Sequence, residues 1–213
     1  MYGVAVRTVT VANLKGGSGK TTAVAFLAHA GHEIGHRVLV VDTDPQQSAK
    51  RWSEYASWPF PVLSLPKRTL HRQLPGYQSD RYDLVVIDTP PLADQDGIVM
   101  SALRVATDVL VPIGPVPIEV ERMPAVRQAV EDVGDLRRDG TSPRMAVLLT
   151  RTVPNAVSTG VWREVLTEAG DRVLRVTVPR REAFAQSYGQ PVRAAAATAY
   201  GDALTELLKG RMP

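Results

Sequence analysis

A chain of 213 residues with a net charge of +3 has room for one substantial core and not for two full-sized enzymatic domains, so residues 1–213 read as a single domain. Its 44% hydrophobic and 22% charged content is ordinary globular usage; no apolar run approaches the roughly 20 residues that cross a bilayer, and the start MYGVAVRTVTVANLKGG has no signal-peptide pattern, so a cytoplasmic protein is expected. The absence of cysteine excludes disulfides, thiolate zinc sites and iron–sulfur clusters held by this chain.

Along the chain, short apolar runs alternate with longer amphipathic ones, the signature of βαβ units around a mostly parallel twisted sheet with helices on both faces. RTVTVAN (7–13) is a β-branched strand running into a glycine loop, and 21–35 is a helical pattern closed by glycine. RVLVVD (37–42) and YDLVVID (82–88) are continuous apolar runs ending in aspartate, as central parallel strands buried on both faces require. Strands are also predicted at 108–113, 145–150 and 172–178. Helices are predicted at 46–56, 93–105, 118–134, 158–169, 181–187 and 193–209. The proline-rich stretch 58–68 reads as a surface connection with one short strand.

The stretch ANLKGGSGKTT (12–22) lies between the first strand and the first helix. Glycines let backbone N–H groups turn toward phosphates, and the helix N-terminus adds partial positive charge. Lys20 can reach β- and γ-phosphates, and the Thr21 hydroxyl can ligate Mg²⁺. The bland alternative is a tight glycine turn, but the G-G-x-G-K-T spacing is too specific for that. The strict phosphate-loop pattern fails at Leu14, where it calls for glycine, and Lys15 is a second lysine that cis binding does not need. Phosphoryl transfer also requires carboxylates near the metal and the attacking water. VVDTDPQQS (40–48) supplies Asp42 and Asp44, and VVIDTPP (85–91) supplies Asp88.

KGGSGKTT, VVDTDPQQSA and VVIDTPP together resemble the ParA/MinD class of deviant Walker ATPases, and PRREAFAQSYGQPV (179–192) resembles that family's late segment. The resemblance covers nearly the whole chain and implies a P-loop NTPase fold, ATP hydrolysis and ATP with Mg²⁺ as cofactors. Lys15 matches the family's signature lysine, which reaches across a nucleotide-sandwich homodimer to the partner's phosphates, and Leu14 is a departure the class tolerates. Gly16, Gly17, Ser18, Gly19, Lys20, Thr21 and Thr22 match the nucleotide loop. Asp44 matches the residue that orients water, Asp42 lies close to the metal, and Asp88 matches the Walker B aspartate. Arg151 and Pro179 match adenine contacts. The lack of a preceding helix-turn-helix implies a small ParA-type partitioning ATPase. It would act on nonspecific double-stranded DNA of the nucleoid and be stimulated by a ParB-like centromere-binding protein.

Charge distribution bears on the DNA partner. From 136 to 193, ten arginines stand against five acids, a surplus of +5 that leaves −2 for the rest of the chain. Arg163, Arg180, Arg181 and Arg193 are the candidate phosphate contacts; the alternative is that such arginines form surface pairs. A MinD-like membrane-associated ATPase would need a basic amphipathic C-terminal helix, and AYGDALTELLKGRMP offers only Lys209 and Arg211 as cations, so a helix packed on the core and no membrane contact are expected. A positioning ATPase for some other cargo remains an alternative. No arginine flanks the phosphate motifs, so unaided hydrolysis is expected to be slow.

Overall fold

The computed structural model describes residues 6–78 and 81–209; Arg211 lies outside them. In chain order the elements are β1 (Arg7–Val11), α1 (Lys20–Glu33), β2 (Val38–Asp42), α2 (Ser48–Tyr55), β3 (Val62–Ser64), α3 (Leu70–Gln78) and β4 (Leu84–Asp88). There follow α4 (Asp96–Leu103), β5 (Asp108–Ile113), α5 (Pro117–Val120), α6 (Met123–Leu136), β6 (Arg144–Thr152), α7 (Val157–Glu168) and β7 (Val178–Pro179). The chain closes with α8 (Glu182–Ala185), a 3₁₀ turn (Ala195–Ala197) and α9 (Ala199–Leu208). The seven strands form one parallel sheet in the order β3-β2-β4-β1-β5-β6-β7.

Period-2 alternation sends strand side chains to two faces. Val9, Val11, Val40, Val86, Leu110 and Leu148 pack with α1, α2 and α9 on one face. On the other, Val109, Val111, Val147 and Leu149 meet α4 and α6, while Leu39, Val41, Val85 and Ile87 meet α3. Helix α1 is buried almost all round, because α9 covers the side turned away from the sheet. It also lies close on β4: a Cβ at Gly31 would come within 2.5 Å of Leu84 Cδ2. At the switch point between β1 and β5, the connection from β1 runs to β2 on one side and that from β5 to β6 on the other, and a crevice opens beyond the strand ends where ligands bind in such folds.

Several sequence expectations are corrected. The strand expected at 172–178 shrinks to a single bridge at Val173 and the two residues of β7. The helix expected at 118–134 breaks into α5 and α6, because the Pro124 ring would clash with the carbonyl one turn back in a continuous helix. The helix expected at 193–209 starts only after Thr198, whose hydroxyl accepts the Tyr200 N–H as its cap. The chain enters it through Ala194 at φ 50° and the 3₁₀ turn. Helix α3 was not foreseen, since Pro75 and Gly76 sit inside it; Leu70 and Leu74, one turn apart and fully buried, hold it on the sheet. In α9, Leu204 and Leu207 are buried in the core, and no helix among the described residues is long and apolar enough to cross a membrane.

Candidate functional site

The loop between β1 and α1 is pinned before any ligand is considered. Asn13 donates through Nδ2 to the Pro112 carbonyl at 2.7 Å, and the Asn13 and Leu14 carbonyls accept N–H groups of Leu92 and Ala93. Leu14, the apparent break in the motif, packs its side chain against the core on the α4–α6 face. The loop then turns through Gly17 (φ 73°) and Gly19 (φ 85°), left-handed conformations that glycine adopts without a Cβ penalty. Lys20 opens α1 with its ammonium buried and donating to the Lys15 carbonyl at 3.1 Å. Burial lowers its pKa, while the carboxylates of Asp88, Asp44 and Asp94 pull the other way. An ammonium in that position gains most when a phosphate replaces the lost water.

The strand-end carboxylates converge from different elements. Asp42 and Asp88 are register partners on β2 and β4, and Asp88 also pairs with Val11 at the root of the loop. Thr21 Oγ1 donates to Asp88 Oδ2 at 2.8 Å, whereas Asp88 Oδ1 is buried without a partner among the described residues. Burial, reinforced by neighbouring Asp42, pushes Asp88 up to about 8 against the opposing pull of Thr21 and Lys20. A buried carboxylate with an orphaned oxygen beside a hydroxyl fits a divalent cation. Mg²⁺ takes one or two protein ligands plus phosphate oxygens, so the site needs no three-carboxylate cluster, and none forms among the described residues. Thr21 and Asp88 would hold the ion, which would neutralise phosphate charge there.

Asp42 is arranged differently from Asp88. Its Oδ1 accepts the Asp44 N–H at 3.0 Å and its Oδ2 the Lys50 N–H at 2.9 Å, so it fixes the 44–50 loop while standing next to Asp88. Burial raises its pKa and those backbone N–H groups lower it. Asp44 is half-exposed, accepts the Gln46 N–H at 2.8 Å, and acts electrostatically on both Lys20 and Asp88, which suits a group that orients water near the phosphates. Lys15 is exposed on the loop rim, and its ammonium has no hydrogen bond or ion pair among the described residues.

Beside the loop lies a cavity of about 630 Å³ lined by Gly17, Ser18, Gly19 and Thr22 on one side and by Arg151, Pro179, Arg180, Arg181, Phe184 and Tyr200 on the others. Gly16, earlier in the loop, is exposed. Arg151, at φ 57°, donates to the Gly17 carbonyl at 3.1 Å and forks onto Glu119 at 2.7 and 2.6 Å, while Glu119 accepts the Gly114 N–H at 2.7 Å.

The family model for the CobQ/CobB/MinD/ParA nucleotide-binding domain matches residues 9–192. The chain belongs to that family. It is a ParA/MinD-type ATPase. A curated member, maintenance of carboxysome distribution protein A from Gloeobacter kilaueensis, is 35% identical over 192 residues, 89% of this chain and 81% of that protein. The chromosome-partitioning ATPase Soj from Thermus thermophilus is 28% identical over 92% of this chain and 91% of its own length. Among solved structures, cobyrinic acid a,c-diamide synthase from Mycobacterium smegmatis with a bound ATP analog and magnesium superposes with a TM-score of 0.73 at 25% identity, covering 98% of both chains.

Of the sequence-predicted residues, the loop, Lys20, Thr21, Asp42, Asp44 and Asp88 come together, and Arg151 and Pro179 line the adjoining cavity. The arginines proposed for DNA do not form one set. Arg163 is turned inward to the Leu174 and Arg175 carbonyls at 2.5 and 3.1 Å, which ties down the segment expected to be a strand. Arg180 and Arg181 line the nucleotide cavity, and Arg193 is exposed ahead of the 3₁₀ turn. Arg137, Arg144 and Arg172 are also engaged, with carbonyls of Leu103 and Ala106, with Asp108, and with the Glu206 carbonyl. Sequence reasoning missed Glu119, because nothing local marks a glutamate that meets an arginine 32 positions away.

Proposed function

We propose that this chain is a ParA-type positioning ATPase. ATP and Mg²⁺ bound at the loop draw two copies face to face with the nucleotides between them, and the dimer holds duplex DNA of the nucleoid without sequence preference. Hydrolysis, stimulated by a partner, releases it. Lys15 carries this reading: Lys20, buried at the loop, supplies the ammonium that cis phosphates need, and a second lysine, exposed and unpaired among the described residues, stands on the rim, which supports a role toward another molecule's nucleotide.

The test compares Asp44→Ala and Lys15→Ala by light scattering with saturating ATP and Mg²⁺. The Asp44 variant is expected to bind ATP, lose turnover and accumulate as a dimer. The Lys15 variant is expected to bind ATP with affinity within a few-fold of the parent and remain a monomer. A monomeric Asp44 variant, or a dimeric Lys15 variant, contradicts the reading.

For the cargo, DNA segregation through a ParB-like centromere-binding partner is the leading reading, supported by the likeness to Soj. The 35% identity to a carboxysome distribution protein favours a second reading, in which the cargo is a protein compartment and the nucleoid is only the track. Deleting the gene is expected to raise the loss rate of the replicon that carries it; unchanged retention sinks segregation in favour of the second reading.

A further inference from the structure

Strand β6 carries one extra residue where it meets β7. Thr150 pairs with Val178 and Thr152 with Pro179, so Arg151 between them bulges out of the ladder, in the left-handed conformation at φ 57°. A non-glycine residue held there is strained, and its surroundings must offset the strain. The bulge brings the guanidinium to two other segments. Nη1 donates to the Gly17 carbonyl of the phosphate loop at 3.1 Å, and Nη2 donates to both carboxylate oxygens of Glu119 at 2.7 and 2.6 Å. Glu119 is held in turn just beyond β5, where its Oε2 accepts the Gly114 N–H at 2.7 Å. Gly114 is crowded by this pair: a Cβ there would stand 3.1 Å from Arg151 Nη2 and 3.3 Å from Glu119 Oε1.

The peptide unit from Gly17 to Ser18 is planar, so fixing its carbonyl also fixes the direction of the Ser18 N–H. Gly17 and Gly19, at φ 73° and 85°, flank Ser18, and glycines let such peptides reorient at little steric cost. The Ser18 hydroxyl lines the nucleotide cavity, buried and without a partner among the described residues. We propose that Glu119 is a positioning residue for nucleotide binding: through Arg151 it fixes the Gly17–Ser18 peptide and presets the phosphate loop. This rests on the ATPase reading. The action is on the phosphate cradle and not on the base, so it extends to any ligand that carries a chain of phosphates.

The probes are ATP and inorganic tripolyphosphate, which has neither base nor sugar, each titrated calorimetrically onto the full chain with Mg²⁺. Glu119→Ala is expected to weaken both by the same factor, about tenfold, because the loop must then be ordered as the phosphates bind. Deleting a negative charge near the site would by itself strengthen phosphate binding, so a weakening reports position rather than charge. Arg151→Ala is expected to weaken tripolyphosphate at least as much, and the double variant no more than Arg151→Ala alone, since the two residues act as one unit. Glu119→Gln keeps an acceptor at the same reach and is expected to recover part of the loss. The ion pair is partly exposed, so the urea midpoints of the free variants are expected to match the parent's. Weakened ATP with unchanged tripolyphosphate assigns the pair to the nucleoside and overturns the proposal. Losses that add in the double variant, or a Glu119→Ala chain that binds tripolyphosphate as well as the parent, overturn it too. A parent chain that binds neither probe refutes the ATPase reading, and the positioning role with it.

Discussion

Replacing Lys20 with Ala separates the cost of the loop from its use. The ammonium is buried in the absence of nucleotide, its charged form disfavoured by burial and its visible partner a single carbonyl at 3.1 Å. Removing it should therefore leave the stability of the free protein within about 1 kcal/mol of the parent. With ATP bound, the same ammonium would make two charge-assisted bonds to phosphate oxygens, each contributing about 1.5–3 kcal/mol. After discounting the desolvation already present, a loss of about 3 kcal/mol is expected, which is roughly 150-fold in Kd.

The consequence is read by thermal denaturation with and without ATP–Mg²⁺. At a nucleotide concentration about 100 times the parent's Kd, binding stabilises the parent by about 2.7 kcal/mol and the variant by only about 0.3 kcal/mol. For a domain of this size about 1 kcal/mol moves Tm by roughly 2–4 °C, so a shift of about 5–10 °C should collapse to about 1 °C. A variant that keeps most of the parent's ATP-induced shift would refute the assignment of Lys20 to the phosphates.

Arg180→Ala with Arg181→Ala is expected to weaken ATP binding measurably, because both side chains line the nucleotide cavity; unchanged ATP affinity, with weaker DNA retention across a salt series, would return them to the DNA contact expected from sequence. Trp52→Ala should destabilise the fold by about 3–5 kcal/mol in urea denaturation, since the indole is fully buried, packs against Trp58 and Tyr188, and donates to the Gln190 carbonyl at 2.8 Å. A loss below about 1 kcal/mol, the range of surface changes, would contradict that packing. Asp83 is drawn upward by burial but more strongly downward by hydrogen bonds from His36 and Arg37, and its net pKa is below the usual 3.8. Its contribution is present above that value and disappears as pH falls through the lowered folded-state pKa. Asp83→Asn should thus cost about 0.5–1 kcal/mol at neutral pH, with the gap to the parent closing on acidification; a gap independent of pH would contradict the linkage.

The nucleotide loop and the strands that feed it were legible because their signals are local. Glycines at fixed offsets between a β-branched run and a helix, and apolar runs ending in aspartate, specify β1, β2 and β4 whatever lies around them. Reading failed where local signals competed with packing. Pro75 and Gly76 argue against a helix that Leu70 and Leu74 nonetheless bury. RVLRVTV has strand composition, yet β6 pairs with it only at Val173 and Val178, and Arg163 ties down the Leu174 and Arg175 carbonyls between them.

By itself, the sequence determined that a phosphate-binding loop, a metal-side hydroxyl and strand-end carboxylates exist, because each is a short run whose chemistry follows from residue type and spacing. Only the tertiary structure decided how they meet. Thr21 and Asp88 are 67 positions apart, and Arg151 reaches Gly17 across 134. It also divided the arginine surplus between carbonyls within the fold and the nucleotide cavity. Which groups lose water and which gain partners depends on how elements dock, and docking energy is summed over contacts between segments far apart in the chain.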